Sequence, residues 1–301
     1  MTAAGDCVPG PERLSTGDPA LDERLGGGLL PGTLTLLVGA TGIGKTQLGL
    51  RFADAGLKQE GRRGILFDMT QRGDAQGHTA YAARLCDWQL RPAPVDYRPE
   101  PAALFDTAEQ PPDYLHVFDY RGPKFDSGAH AFDEYHTWRQ ELVAKLDVAI
   151  AFFYANFCRG VRRAVIDGID PTHVPAESIQ FALFEYVYQQ ILRKESAWVA
   201  RDLLRQDFLR HQPAVEAVRY EHERIGCAML YTSSETMLDA LVERQLVPGD
   251  WLANANTVIY LGRIREGNRV GRALYIAKHR GSYAADEILP YEITERGLRL
   301  T

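Results

Sequence analysis

The segment GATGIGKT at residues 39–46 decides the fold that the sequence predicts. It matches the pattern G-x-x-x-x-G-K-[ST] at every fixed position. The glycines allow the backbone to wrap around a phosphate with its N–H groups pointing inward, and the dipole of a following helix adds to the attraction. An apolar run at 33–38 predicts a buried strand before the segment, and a helical pattern extends from Lys45 to about Leu57. The segment therefore predicts a phosphate-binding loop between a strand and a helix.

Two side chains of this loop carry the chemistry expected of a nucleotide site. Lys45 would place a positive charge on the outer phosphates, and the Thr46 hydroxyl would reach Mg²⁺. A glycine-rich turn that holds no ligand is the alternative interpretation. We expect the nucleotide to be held by the loop and the residue after it, namely Gly39, Thr41, Gly42, Ile43, Gly44, Lys45, Thr46 and Gln47.

A second predicted strand ends in a carboxylate. Residues 163–167 read RAVID, so a short apolar strand delivers Asp167 at its carboxyl end. In parallel sheets ligands bind at this end of the strands. Although an aspartate at a strand end is common, its combination with the phosphate loop predicts that Asp167 and Thr46 hold the magnesium, Asp167 through water.

Composition excludes several classes of protein. The 301 residues are 45% hydrophobic and 25% charged, which is typical of a globular chain and not of a disordered one. The formal net charge of −6 excludes a whole-protein basic field for nucleic acid. No apolar run approaches the roughly 18 residues of a spanning helix, and the N-terminus has no apolar segment for export. We therefore expect a cytoplasmic protein with no membrane association.

Predicted strands and helices alternate over the first two thirds of the chain, which indicates an α/β fold with a mainly parallel twisted sheet flanked by helices. Residues 257–264 and 269–277 flank a turn and predict a C-terminal β-hairpin. We expect a flexible tail at 1–12 and a single domain at 13–301. Two surface insertions are predicted at about 89–135 and 172–224, the second being helical with a break near Gln212 and Pro213.

The chain also resembles a known family along most of its length. The segments that carry the likeness are Ser15-Thr16-Gly17, Leu21-Asp22-Glu23, Leu25–Gly28, Pro31-Gly32, Tyr231–Glu235, Lys278–Ser282, Tyr291–Thr294 and Gly297-Leu298. With the phosphate loop, they resemble the KaiC-like ATPases of the RecA/RadA superfamily, as a single-domain member. The resemblance implies a RecA-like P-loop core that binds ATP and Mg²⁺.

It further implies self-association, usually as a hexameric ring with ATP between neighbouring subunits. Lys278 and Arg280 match the basic pair that such proteins project into the ATP of the adjacent subunit. Two residues apart on a strand, they share a face and would stabilise charge on the transferring phosphate. Ser282, in the same motif, is a further candidate for nucleotide binding. An exposed basic hairpin that discourages edge aggregation is the alternative interpretation.

The catalytic base is the point at which the sequence departs from the family. KaiC-like proteins commonly end the second core strand with one or two glutamates, whereas this chain reads Phe67-Asp68-Met69-Thr70. Asp68 retains a carboxylate and is the candidate base for the attacking water. A cap or turn residue at the strand end is the alternative. We expect slow or partner-dependent hydrolysis.

Three functions are compatible with these residues. The favoured one is an ATP-driven oligomeric switch or assembly platform, with an unknown protein partner contacting the insertions. The second is a recombinase-type ATPase that binds DNA; residues 234–256 hold one Arg and no Lys, which argues against it, although four arginines at 263–272 leave it open. The third is a scaffold that binds ATP without hydrolysing it.

Overall fold

The computed structural model describes residues 12–70, 77–106, 108–118, 133–169, 179–244 and 251–301. The predicted tail lies outside these ranges apart from its last residue, as do residues 119–132 of the first predicted insertion and 172–178 of the second.

In this described part of the chain, nine strands form one sheet in the order β3-β2-β4-β5-β1-β6-β7-β8-β9. The first six in that order are parallel to their neighbours, and the last three are antiparallel. The predicted mainly parallel sheet is therefore confirmed. The strands are β1 (Leu34–Gly39), β2 (Ile65–Asp68), β3 (Tyr114–His116), β4 (Arg163–Ile169), β5 (Gly226–Thr232), β6 (Thr257–Glu266), β7 (Arg269–His279), β8 (Leu289–Thr294) and β9 (Gly297–Leu300).

Helices cover both faces of the sheet. One face packs against α1, α2 and α3, through residues such as Leu21, Leu48 and Ala82. The other packs against α5, α6 and α7, through residues such as Phe153, Leu183 and Val199. The helices are α1 (Pro19–Arg24), α2 (Lys45–Gln59), α3 (His78–Cys86), α4 (Pro101–Phe105), α5 (Asp133–Phe157), α6 (Ile179–Tyr186), α7 (Ser196–Leu204), α8 (Phe208–Ala217), α9 (Leu238–Val242) and α10 (Trp251–Asn254).

The structure corrects two expectations about residues 172–224. A π-helix (Val187–Leu192) follows α6, and Phe184 and Ile191 are fully buried in the core. The described part of this stretch is therefore a covering layer of the sheet and not a surface excursion. The predicted break at Pro213 is also wrong, since that residue lies inside α8. Pro213 and Gln212 are exposed, so water can satisfy the carbonyl that lost its N–H partner.

The predicted C-terminal hairpin is formed by β6 and β7. Glu266 pairs with Arg269, so Gly267 and Asn268 make a two-residue turn. Gly267 has a φ of 59°, as the primed turns of hairpins require. A second hairpin, β8–β9, follows, and its Tyr291 donates a hydrogen bond to the Ile43 carbonyl over 2.6 Å. The β8–β9 hairpin therefore contacts the backbone of the phosphate loop.

A buried arginine joins three parts of the fold. Arg163, at the start of β4, is fully buried and forms an ion pair of 2.8 Å with Glu60, whose side chain is 3% exposed. Its guanidinium also donates to the carbonyls of Ser15 and Phe52, over 2.6 and 2.8 Å. The arginine thus ties the segment before α1 and the end of α2 to the central sheet.

Candidate nucleotide-binding site

The loop at residues 39–46 has the geometry of an anion-binding loop. Gly44 caps α2 with a φ of 111°, a conformation that only glycine adopts without strain. The first bond of the helix runs from the Leu48 N–H to the Gly44 carbonyl over 3.1 Å. The N–H groups of the first helical turn precede that bond and point out of the helix end. They form, with the helix dipole, a site for a phosphate.

Lys45 lies across this loop. Its ammonium donates to the carbonyls of Gly39 and Ala40 over 2.8 and 2.9 Å, and the residue is 7% exposed. Gly39 has no room for a side chain, because a Cβ there would lie 2.3 Å from the Leu261 carbonyl oxygen. The loop backbone is therefore packed tightly against β6, and the lysine is held inside its curve.

Thr46 and Asp167 come together although 121 positions separate them in the chain. The Thr46 hydroxyl donates to Asp167 Oδ2 over 2.9 Å. The other oxygen of Asp167 accepts from the Gly168 N–H over 2.7 Å, which orients the carboxylate. A hydroxyl and a carboxylate are hard oxygen donors, the set that Mg²⁺ prefers. These two residues therefore fit the metal predicted from the sequence.

Asp68 and Asp167 are neighbours on adjacent parallel strands, since they pair in the register of β2 and β4. Asp68 is fully buried. Its Oδ1 accepts from the Thr70 N–H over 2.8 Å, and its Oδ2 accepts from the Tyr114 hydroxyl over 2.7 Å. Among the described residues, the cleft beside the phosphate loop is not lined by Asp68. This location favours a role through other residues over direct contact with water in the cleft.

A histidine that sequence reasoning missed lies between the two aspartates. His78, the first residue of α3, is 1% exposed. Its Nε2 lies 2.9 Å from Asp167 Oδ2, and its Nδ1 lies 3.5 Å from Asp68 Oδ2. Because Asp167 Oδ2 is an acceptor, Nε2 is the protonated nitrogen that donates to it. Hydrogen bonds and close polar contacts therefore run from Tyr114 through Asp68 and His78 to Asp167 and Thr46.

The cleft itself combines polar and apolar walls. Thr46 and Asp167 lie in its wall together with Tyr81 from α3 and Ile293 from β8. Ile293 packs against the loop, with its Cδ1 3.3 Å from the position that a Cβ on Gly44 would take. The residues that line the cleft are Thr41, Gly42, Gly44, Lys45, Thr46, Gln47, Tyr81, Asp167, Thr232 and Ile293. A phosphate-binding end and an apolar surface therefore share one cleft, as a nucleotide requires.

Lys278 and Arg280, the basic pair predicted from the sequence, lie near the amino end of β1, whereas the phosphate loop follows its carboxyl end. Lys278 pairs with Val258, and Val258 is level with Leu36 near the start of β1, whereas the phosphate loop follows its end. The Arg280 N–H binds the Asn256 carbonyl, one residue before β6. Measured along β1 to Gly39, Lys278 is about 10 Å away and Arg280, level with Leu34, is about 16 Å away. Within one chain the pair is therefore remote from the cleft.

Carbonyl groups of α10 hold the two cations. Lys278 Nζ donates to the Leu252 and Ala253 carbonyls over 3.0 and 2.8 Å, and Arg280 reaches the Ala253 carbonyl over 3.4 Å. Partial burial, with a contribution from Arg280, lowers the pKa of Lys278 from its usual value of 10.5. Ser282 lies beside them, and its hydroxyl donates to the Leu25 carbonyl over 3.4 Å, outside the cleft of its own chain.

Comparison with known proteins gives the same interpretation as the geometry. Residues 14–84, which include the phosphate loop and Asp68, match the family model for the KaiC ATPase. Over these residues the chain is similar to the KaiC ATPase. Its fold matches the crystal structure of the KaiC-like protein PH0186 from the hyperthermophilic archaeon Pyrococcus horikoshii OT3, with a TM-score of 0.52 and 17% sequence identity. That match covers 97% of this chain and 99% of the other, so the two share a fold over nearly their full lengths.

Curated relatives match a short segment only. The circadian clock oscillator protein KaiC of Rippkaea orientalis is 47% identical over 55 residues, and that of Thermostichus vulcanus is 46% identical over the same length. The matched segment is 18% of this chain and spans 10% of the length of each relative. In the described residues, no helix is long and apolar enough to cross a membrane.

Sequence reasoning missed five residues of this site. His78 and Tyr81 lie on a helix that follows the undescribed residues 71–76, and an isolated histidine gives no spacing signal. Tyr114 belongs to a three-residue strand inside a proline-rich stretch. Thr232 and Ile293 belong to segments that carry the family resemblance, which was the one signal that could have indicated them.

Proposed function

We propose that this KaiC-like protein binds ATP with magnesium, hydrolyses it slowly, and works as a homo-oligomeric nucleotide-driven switch or assembly platform. The observation that carries the proposal is the 2.9 Å contact between Thr46 and Asp167, because it joins the phosphate loop to a strand-end carboxylate. The likeness of residues 14–84 to the KaiC ATPase supports it.

Each residue of the site has a distinct task in this proposal. The N–H groups of the loop and Lys45 bind and orient the phosphates. Thr46 would contact the magnesium directly and Asp167 through water; when bound, the metal would neutralise charge on the outer phosphates. Gly39, Thr41, Gly42, Ile43 and Gly44 shape the loop backbone around them. The apolar walls of the cleft exclude water from the rest of the nucleotide.

Slow turnover follows from the surroundings of Asp68. The carboxylate is fully buried and both of its oxygens accept hydrogen bonds, so in this proposal it does not itself take a proton from water; its Oδ2 lies 3.5 Å from His78 Nδ1. His78 in turn holds Asp167. Catalysis then depends on positioning and on charges around the phosphate more than on a strong base.

The position of Lys278 and Arg280 supports an oligomer. They lie at the end of the strands opposite the loop of their own chain, whereas a head-to-tail neighbour would bring them to the ATP of the next subunit. Ser282 would enter the same interface. A ring, with a hexamer as the expected size, satisfies this geometry, and helices α7 and α8 would offer a surface to a protein partner.

Three measurements test the proposal together: nucleotide binding, phosphate release and the mass of the assembled protein. We expect wild-type protein to bind a fluorescent ATP analogue in Mg²⁺, to release phosphate slowly, and to form a multimer with Mg·ATP in native mass spectrometry. Lys45→Ala should lose binding and turnover. A monomer in all conditions would refute the ring, and the absence of ATP binding would refute the whole proposal.

The burial of Asp68 specifically favours one second candidate, the scaffold that binds ATP without hydrolysing it. Binding and assembly without phosphate release in wild-type protein would select it. DNA binding rests on the hairpin arginines alone, of which Arg263, Arg265 and Arg269 are exposed. A salt-dependent titration with single-stranded DNA tests it, because phosphate contacts weaken steeply as salt rises.

A further inference from the structure

The β6–β7 hairpin extends beyond the parallel part of the sheet. Leu261 of β6 is level with Gly39, the last residue of β1, and β6 continues to Glu266 before the chain turns back. Residues 262–272, which we call the hairpin end, therefore project past the strand with which β6 is paired. In the described part of the chain, none of them lines the nucleotide cleft. The hairpin end is thus a separate surface of the molecule.

Three arginines of the hairpin end share one face. Arg263 and Arg272 lie directly opposite each other on the two strands, and Arg265 is two residues beyond Arg263. Side chains in both relationships point to the same side of a sheet. Like charges that lie directly opposite each other destabilise a sheet. The three guanidinium groups therefore repel one another, and the fold gains no stability from their proximity.

These arginines have no ion-pair partner among the described residues. Other arginines of the chain bind carboxylates, as Arg91 binds Asp113 over 3.0 Å. Arg272 is partly buried next to Tyr291, its neighbour in the register of β7 and β8, and its Nε is buried without a hydrogen-bond acceptor in the described ranges. Buried polar atoms almost always have a partner, and buried charges are paired. An external anion is therefore expected to complete the cluster.

The neighbouring groups favour a carboxylate on a peptide as that anion. Val270, which is 60% exposed, lies opposite Arg265 and adds apolar surface to the same face. Arg272 pairs outward with Tyr291, and alternate residues of a strand direct their N–H and C=O groups to the same side, so those of Val270 also point outward. No described residue pairs with them. An extended peptide can make these backbone bonds.

A single-stranded nucleic acid fits this face less well. Proteins that bind such strands offer aromatic side chains on which the bases stack. The hairpin end contains no aromatic residue, and its exposed apolar side chain is aliphatic. The formal net charge of −6 also opposes the approach of a long polyanion.

We propose that the face formed by Arg263, Arg265, Val270 and Arg272 binds an extended acidic segment of a partner protein. The carboxylates of the segment would lie between the guanidinium groups, whose paired donors match carboxylate oxygens, and would relieve their repulsion. The backbone of the segment would pair with that of Val270. The inference goes beyond the proposed function, because this surface lies outside the nucleotide cleft and needs no nucleotide.

Fluorescence anisotropy without nucleotide tests the inference, with a labelled peptide of alternating Glu and Val, about ten residues long, as the probe. We expect wild-type protein to bind it and the affinity to fall as salt rises. A peptide with Gln in place of each Glu lacks the charge, and a peptide of alternating Glu and Pro lacks half of the backbone N–H groups. Both should bind at least about tenfold more weakly.

Variants of the arginines locate the binding surface. Arg263→Gln/Arg272→Gln should bind the Glu-Val peptide at least about tenfold more weakly. The reversal Arg263→Glu/Arg272→Glu should instead bind a peptide of alternating Lys and Val. Arg62→Gln/Arg219→Gln, which changes two exposed arginines elsewhere by the same charge, is the matched control and should bind as wild type does. Equal affinity of this control and of Arg263→Gln/Arg272→Gln would overturn the inference.

Thermal denaturation without peptide gives an independent readout. Arg263→Gln removes one of two opposed charges, so it should melt at the wild-type temperature or higher. A clearly lower melting temperature would show that this arginine serves the fold, and would overturn the inference.

A labelled oligothymidylate of similar length distinguishes the two kinds of partner. Tighter binding of this strand than of the Glu-Val peptide, lost in Arg263→Gln/Arg272→Gln, would assign the face to nucleic acid and overturn the inference. Because these titrations contain no nucleotide, failure to bind the peptide refutes this surface alone, whereas failure to bind ATP refutes the proposed function alone.

Discussion

Asp68 and Asp167 stand side by side at the carboxyl ends of β2 and β4, and His78 lies between their side chains. One aspartate belongs to the magnesium site that we propose, and the other is buried behind the histidine. Their distances to the ring, 2.9 Å from Nε2 and 3.5 Å from Nδ1, make His78 the physical connection between the two strand ends. Strand β2 ends in Asp68 where KaiC-like proteins commonly have a glutamate. The contacts of Asp68 and His78 therefore predict how substitutions at these two residues change magnesium binding and turnover.

Replacement of His78 should weaken the magnesium-dependent part of nucleotide binding. His78→Leu keeps much of the side-chain volume but removes the donor to Asp167. Loss of a group that orients a metal ligand typically costs about 10- to 100-fold in metal affinity. The measurement is a Mg²⁺ titration of fluorescent-ATP binding, with binding in EDTA as the reference that should not change.

Two amide variants distinguish the nitrogen that matters. The amide of His78→Gln takes the place of Nε2 and should restore most of the magnesium affinity, whereas that of His78→Asn takes the place of Nδ1 and should not. Equal behaviour of the two amides would show that His78 acts through packing alone.

Asp68→Asn should act through His78. We expect a weaker response to Mg²⁺ and slower turnover, because the amide no longer gives His78 Nδ1 a carboxylate neighbour. The double variant Asp68→Asn/His78→Leu should be no worse than His78→Leu, since residues in one chain of contacts are not additive.

A buried carboxylate elsewhere controls for the loss of charge. Asp113, which is 7% exposed and binds Trp88 and Arg91, offers the same Asp→Asn change away from the cleft. Asp113→Asn should leave the magnesium response unchanged. If Asp68→Asn abolished turnover with normal magnesium affinity, Asp68 would be the base itself, contrary to our interpretation.

Arg163 should be a determinant of stability and not of binding. Arg163→Met leaves Glu60 buried without its ion-pair partner, a change that typically lowers the free energy of unfolding by about 3–5 kcal/mol. Urea denaturation measures it. Arg98→Met removes an exposed partner of Asp147 and should cost less than about 1 kcal/mol. A loss for Arg163→Met as small as this control would contradict the structural role.

The phosphate loop could be predicted from the sequence because its chemistry is local. Residues 39–46 form the site with their own backbone, and the adjoining strand and helix carry clear patterns. Asp167 was predictable for a related reason, as it ends an apolar strand. The pairing of β2 with β4, which places Asp68 beside Asp167, depends on strand order, and no local pattern encodes it.

His78 and Gln47 show where sequence reasoning ended. The position of His78 between two carboxylates results from the packing of α3 against α2, and a single histidine carries no information about that packing. Gln47 was predicted to contact nucleotide by its place after the loop, but the burial of its oxygen required coordinates. The resemblance to KaiC-like proteins indicated Lys278 and Arg280. The sheet register then placed them at the end of the strands opposite the loop.

The lowered pKa of Lys278 predicts how the rate of ATP hydrolysis changes at alkaline pH. Burial and Arg280 lower its pKa, so Lys278 loses its proton at a lower pH than a solvated lysine does. If the cation stabilises the phosphate of a neighbour, turnover should fall as the pH rises through that lowered pKa. Lys278→Arg should move the fall to higher pH, since a guanidinium stays charged. An unchanged profile, matching the control Lys58→Arg, would remove Lys278 from the reaction.

Mixing two inactive variants tests whether the basic pair acts on a neighbouring subunit. Lys278→Ala/Arg280→Ala keeps the phosphate loop, and Lys45→Ala keeps the basic pair. Where a loop of the first variant meets the pair of the second, one complete site forms. In an equal, randomly assembled ring of head-to-tail interfaces, about a quarter of the sites would be complete. Phosphate release should therefore recover on mixing to a fraction of the wild-type rate.

Phosphate release should recover only when subunits of both variants assemble into the same ring. A control that prevents this mixed assembly tests that requirement. Mixing the variants as preformed multimers that do not exchange subunits should give no recovery, whereas dilution and reassembly before the assay should restore it. Within one chain, Lys278 lies level with Leu36 while the loop follows Gly39, so the pair and the loop of a single chain lie at different ends of the strands. Full activity of Lys278→Ala/Arg280→Ala by itself would overturn the assignment, because the phosphate would then need no cation from a neighbour.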